Sequence, residues 1–199
     1  REFLETESIP PPATCYGFLL SLIGEMNRRR HVGCRVTPTM LGEPRTSVVL
    51  RTVWRVKKPQ LGASGNTRPD YQQLLTGIEL VLWIDSSGET PEQEMTLEQR
   101  VTSAINDPSS VTRFGGLSLG ESTHLVDEVS LLDQMESRLG SRSGRHFLLA
   151  DRGSMTLPVW VDHVGSAGTR YATGNLVVRP ALTCPSIDAM PVIHPEYAS

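Results

Sequence analysis

Between Arg113 and Glu128 the chain reads Arg-Phe-Gly-Gly-Leu-Ser-Leu-Gly-Glu-Ser-Thr-His-Leu-Val-Asp-Glu, and this stretch limits the fold more than any other. Gly115, Gly116 and Gly120 favour an irregular loop whose main chain a ligand can approach closely. The spacing of Gly115 and Gly120 imitates a phosphate-binding nucleotide loop. The next residue is Glu121, however, where that loop needs its lysine. The segment after Ser122, residues 123–132, reads as a strand, whereas a phosphate loop opens a helix. ATP- or GTP-binding folds of that kind are therefore excluded. Two readings remain: a plain connection or bulge, and a binding loop in which Arg113 and Phe114 suit a phosphate and a base.

The flanking elements alternate between helical and strand periods. Tyr16, Leu19, Leu20 and Ile23 form one helical stripe over 12–24, with Pro12 near the start and Gly24 at the exit. Strands are expected at 32–41 and 46–57, joined across Gly42-Glu43-Pro44, and at 77–85. In the second, Arg51, Val53, Arg55 and Lys57 share a face, and its cations stand about 6.6 Å apart for residues two positions apart. That spacing suits successive phosphates, and equally a half-exposed sheet face. Residues 58–73 read as a polar loop. Thr96 and Gln99 form a capping box for a helix over 96–104, which Asn106-Asp107-Pro108 ends. Strands are expected within 144–164 and over 175–179, and a proline-rich tail over 180–199 that docks on a surface or stays disordered. The pattern is α+β.

Charge separates along the chain. Residues 28–58 hold nine cations against Glu43 alone, while 79–138 lean acidic, although the whole chain carries only −3. Such a split supports a basic face for phosphates and an acidic face for protein neighbours, or simply a solvated surface. Cys15, Cys34 and Cys184 lack metal or disulfide spacing, which favours a reduced, cytoplasmic setting. No apolar run reaches membrane-span length.

Catalytic patterns are sparse. The five histidines, His31, His124, His146, His163 and His194, show no paired metal spacing, and no G-x-S-x-G occurs. No metal site or cofactor is indicated. Metal-free RNA cleavage needs only a base, an acid and a cation, for which His31 beside Arg28–Arg30, or Tyr16, are the candidates. A histidine among arginines reads more readily as a surface or binding residue. Single-stranded RNA binding needs cations, stacking rings and bare backbone. Arg51, Arg55 and Lys57, the Arg28, Arg29 and Arg30 turn, and Arg113, Phe114, Gly115, Gly116 and Ser118 supply these, with Tyr16 and Tyr71 as stacking candidates.

A further segment carries a family resemblance. Residues 9–25 have a proline-rich lead-in, Tyr16-Gly17 in the helix and a closing Gly24-Glu25 pair. With Arg113–His124, Ser47–Thr52, Arg68–Gln72 and Leu157–Gly165, it resembles the fifth CRISPR-associated (Cas) protein family in its DevS or myxan subtype, over roughly residues 1–170. The resemblance implies a ferredoxin-like (RRM/RAMP-type) RNA-binding domain over 1–133, with its first strand expected before residue 1. A small β extension over 134–179 and the tail 180–199 complete the expectation. It also implies a non-catalytic subunit of a type I, subtype I-B, CRISPR surveillance complex (Cascade). Such a subunit grips the 5′ handle of CRISPR RNA (crRNA), abuts a backbone subunit and the large subunit, and meets target DNA through the assembled complex. Two other readings stay open: a metal-independent endoribonuclease acting on repeat RNA, and an adaptor in CRISPR-directed transposition.

Overall fold

The structure is a computed structural model that describes residues 3–54, 66–90, 94–163 and 166–196. It divides into two compact units, the first built from residues 1–8 and 42–79, the second from 9–41 and 80–199.

The first unit is a three-stranded sheet of β1 (Phe3–Leu4), β3 (Arg45–Trp54) and β4 (Thr67–Thr76) in the order β1-β4-β3. β3 and β4 pair antiparallel over ten registers, from Arg45 opposite Thr76 to Trp54 opposite Thr67. β1 adds in parallel, with Phe3 beside Tyr71 and Leu4 beside Gln72. Residues 67–73, read from sequence as polar loop, are thus strand. Their Pro, Asp and Gln content hides a pairing set by β3 rather than by local propensity.

The second unit begins with α1 (Pro12–Leu22), whose first residue is the proline that a helix start tolerates. The apolar stripe is real but understates the burial, because Cys15, Phe18 and Leu22 are buried as well. α1 and α2 (Leu97–Asn106) share a core with Val36, Trp160 and Ile193. Thr96 caps α2 reciprocally with Gln99, as the sequence motif predicts. The five-stranded sheet runs β5-β2-β6-β8-β7, with β2 (Arg35–Met40), β5 (Leu80–Asp85), β6 (Ser143–Leu149), β7 (Met155–Trp160) and β8 (Arg170–Pro180). Every paired neighbour in it is antiparallel. β6, β7 and β8, from the segment expected to extend the domain, hydrogen-bond into the same sheet as β2. The architecture is α+β and ferredoxin-like in kind.

Pro38 shows how the tail enters this sheet. Proline offers no N–H, so a central strand tolerates it only where no donor is required. The Val36 amide donates to the Pro191 carbonyl at 3.2 Å, and Pro38, two residues on, turns its nitrogen to that same side. β6 pairs with β2 only at Thr39 and Met40, leaving Pro38 between the tail and β6. The tail is docked, with Gly33 donating to Ile193 and Ile193 to Cys34.

On the far face of the sheet, Leu41, Val81, Leu139 and Ala181 form a second cluster beneath the short helix α3 (Glu136–Leu139). The strand expected over 123–132 does not form. Instead Leu119 donates to His124 at 3.0 Å and Val126 to Leu117 at 3.0 Å, with a single bridge between Ser118 and Leu125.

Candidate nucleic-acid interface

The glycine loop is a pinned turn rather than a free connection. Leu117, Leu119, Val126 and Val129 pack against the α1–α2 core, which fixes the inner side of the turn. Arg113, Phe114, Gly115 and Gly116 are left exposed, with the Phe114 ring fully so. Ser118 is half-buried and bridges to Leu125. Gly115 has φ +77°, a region that other residues enter at a cost.

The loop's start is fixed by α1. After Leu22 the chain turns through Gly24 at φ +67°, and a Cβ there would collide with the Thr112 carbonyl. Thr112 immediately precedes Arg113, so the end of α1 and the entrance of the glycine loop form one junction.

Beyond that junction lies the arginine turn. Asn27 organises it, its Oδ1 accepting from the Arg29 amide at 3.0 Å and its carbonyl from the Arg30 amide at 3.0 Å. The three arginines then diverge. Arg28 lies 4.0 Å from the centre of the Trp160 ring and donates to the Val161 carbonyl at 2.5 Å, a structural role. Arg29 is exposed and reaches the same ring more loosely, at 5.9 Å. Arg30 pairs with Glu25 at 3.4 Å while remaining half exposed.

Tyr16 and His31 are interior groups. The Tyr16 phenol donates to the Arg28 carbonyl at 2.9 Å and its ring is 3% exposed, which leaves no face for a base. Burial, aided by the neighbouring Cys34 thiol, pushes its pKa up. His31, expected at the surface, is fully buried. Its Nδ1 lies 2.6 Å from Glu89 and its Nε2 lies 2.9 Å from an Arg100 guanidinium nitrogen. A guanidinium only donates, so Nε2 accepts and the proton sits on Nδ1, aimed at Glu89. The imidazole is therefore neutral and spent at both nitrogens. Arg100 also donates to Glu25 at 2.7 Å, and Glu89 accepts the first amide of α2, Leu97, at 3.0 Å. Burial raises the Glu89 carboxyl, but its bonds to His31, Ser86 and Leu97 outweigh this and hold it below the usual range. Glu25 is likewise raised by burial and lowered further by Arg100, with a net downward shift.

In the first unit, Arg51 of β3 stands opposite Asp70 and donates to Gln72 at 2.7 Å. Arg55 and Lys57 lie outside the described residues. Tyr71 is on β4, not in a loop, and is partly exposed in register with Leu50 and Phe3. Sequence reasoning missed Leu125, two-thirds exposed beside Gly116, and the Glu25–Arg100–His31–Glu89 network. The network joins residues up to 75 positions apart, so no local motif announces it. Among the described residues no cluster of three potential metal ligands occurs, and no helix is long and apolar enough to cross a membrane.

No protein-family profile matches the chain. It is similar to the CRISPR-associated protein Cas5 of Myxococcus xanthus strain DK1622, with 51% identity over 195 residues, covering 97% of this chain and 88% of that protein. Its fold is similar, at a TM-score of 0.56 and 13% identity, to a chain of a CRISPR RNA-guided surveillance complex, covering 91% of this chain and 83% of that one. With half its residues identical across nearly its whole length, the chain belongs to the CRISPR-associated Cas5 family.

Proposed function

We propose that this protein is a non-catalytic subunit of a type I Cascade complex, of subtype I-B, which holds the 5′ handle of crRNA at the foot of the complex. The observation that carries the reading is the exposed edge Arg113-Phe114-Gly115-Gly116, held in place by the packed turn behind it. It joins a cation, a ring and bare backbone, the groups that single-stranded RNA binding uses. Arg29 and Arg30 lie just beyond the same junction and add exposed positive charge. Arg51 on the β3–β4 hairpin, with Arg55 and Lys57, is a second set of phosphate contacts in this reading. The acidic segment 79–138 serves the backbone and large subunits, and target DNA is met through the assembled complex. Tyr16 and Arg28 support the turn from within.

The non-catalytic assignment is supported by the burial of His31 and Tyr16, the two residues best suited to metal-free cleavage. The test is 5′-labelled repeat RNA incubated with the protein in EDTA, read by filter binding and on a denaturing gel. Binding without new bands is expected, and Arg113→Ala should weaken it. Defined cleavage products would make the protein a processing nuclease. Binding that survives Arg113→Ala with Arg51→Ala would favour the adaptor role.

A further inference from the structure

We propose that Phe114 and Leu125 form the two walls of a slot for one unpaired RNA base, with the Gly115–Gly116 backbone as its floor. This rests on the RNA-binding reading above and adds to it a recognition element and a residue, Leu125, that the sequence motif does not single out. Phe114 has its whole side chain in water and Leu125 is 67% exposed. Burying either side chain would stabilise the protein. The turn instead sends Leu117, Leu119 and Val126 inward and holds these two out.

Three observations bear on the Leu125 wall and the glycine floor. A Cβ built on Gly116 would lie 3.2 Å from Leu125 Cδ2, so Leu125 leans directly over the glycine backbone. Around a Cβ built on Gly115 there is open space. Among the described residues, no hydrogen bond engages the N–H or carbonyl groups of Gly115 or Gly116. Unspent donors and acceptors between an aromatic and an aliphatic wall fit a flat molecule with a polar edge. A base meets that description, with its faces against apolar walls and its edge on the peptide groups. Arg113, one residue before Phe114, is placed for the adjoining phosphate. A folded peptide helix would meet the apolar walls but leave the glycine peptide groups unused.

Gly116 is then required for a reason separate from charge. A side chain there occupies the space between Leu125 and the backbone and closes the slot.

The test replaces each handle base in turn with 2-aminopurine and follows its fluorescence as protein is added, alongside filter binding. One position should be strongly quenched by the wild type and much less by Phe114→Ala, with Phe114→Trp restoring the quench. Phe114→Ala should weaken binding about 5- to 100-fold on intact RNA. That loss should vanish on RNA made abasic at the quenched position, since no base remains to stack. Leu125→Ala should give a smaller loss of the same kind, and Gly116→Val should abolish the quench. Both wall residues are solvent-exposed, so melting temperatures should hold. If Arg113→Ala weakens binding while Phe114→Ala, Leu125→Ala and Gly116→Val bind and quench like the wild type, the slot is overturned and the RNA-binding reading stands. If the wild type binds no repeat RNA, both fall together.

Discussion

The Thr112 carbonyl oxygen lies directly over the Cα of Gly24, in the place a side chain would occupy. This contact couples the last turn of α1 to the entrance of the glycine loop, and only glycine permits it. Gly24→Ala should therefore destabilise the protein twice, through its φ of +67°, worth about 1–3 kcal/mol, and through the collision with Thr112. A fall in melting temperature of roughly 2–4 °C per kcal/mol is expected, together with weaker RNA binding. An alanine variant that melts like the wild type would show that the junction is loose in solution.

The Glu89 carboxylate does two jobs, accepting a hydrogen bond from His31 Nδ1 and capping α2 through the Leu97 amide. Its pKa is held down in the folded protein, so below about pH 4.5 the unfolded chain takes up more protons than the folded one. Its contribution is complete above that pH and is lost as pH falls through the folded value. Glu25 acts in the same direction. Glu89→Gln should cost about 1.5–3 kcal/mol at neutral pH, as expected for hydrogen bonds to a charged group, and should flatten the loss of stability in acid. Urea midpoints at pH 3.5, 4.5 and 7 check both effects. Parallel pH curves for variant and wild type would rule out this role for Glu89.

These two features also show how far the sequence could be read. Gly24-Glu25 and the Thr96–Gln99 box are local signals, and both ended their helices' ambiguity as expected. The burial of His31 is hidden from the sequence because its neighbours Arg28–Arg30 look like a solvated turn, while its partners lie 58 and 69 residues away. The sequence groups Arg28 with its neighbouring arginines, and gives no sign that its guanidinium lies over Trp160, far along the chain. Residues 123–132 read as a strand by composition, yet Val126 and Val129, three apart, both pack into the helix core, a spacing that a strand does not place on one face. The exposed edge of the glycine loop was legible because its chemistry is contiguous in sequence. Its second wall, Leu125, was not, because it reaches Gly116 only through the turn.

His146 predicts a separate pH response nearer neutrality. Its ring is fully buried, with Nδ1 2.8 Å from the Thr39 hydroxyl and Nε2 without a hydrogen-bond partner among the described residues. Burial lowers its pKa below 6.5, the Arg179 charge adds to this, and the Pro180 carbonyl opposes it only in part. The unfolded chain thus binds a proton that the folded protein resists. Stability should be full above about pH 6.5 and fall as the pH drops towards 5. His146→Leu should remove this part of the slope and leave the carboxylate-driven loss below pH 4.5 intact. An unchanged slope between pH 7 and 5 in the variant would assign it to another histidine.

The proline-rich tail offers a comparison within one short segment. Ile193 is fully buried among the α1–α2 core residues, its backbone exchanging hydrogen bonds with Gly33 and Cys34, while Ile187 is 50% exposed. Truncating a buried isoleucine to alanine removes both its apolar contacts and the atoms that fill its site, about 2–5 kcal/mol in total. Ile193→Ala should lose stability on that scale, and Ile187→Ala should stay within about 0.5 kcal/mol of the wild type. The difference separates a tail that completes the sheet beside Pro38 from one that merely rests on it. Equal urea midpoints for the two variants would mean that residues 190–193 detach in solution, leaving the Val36 side of β2 open.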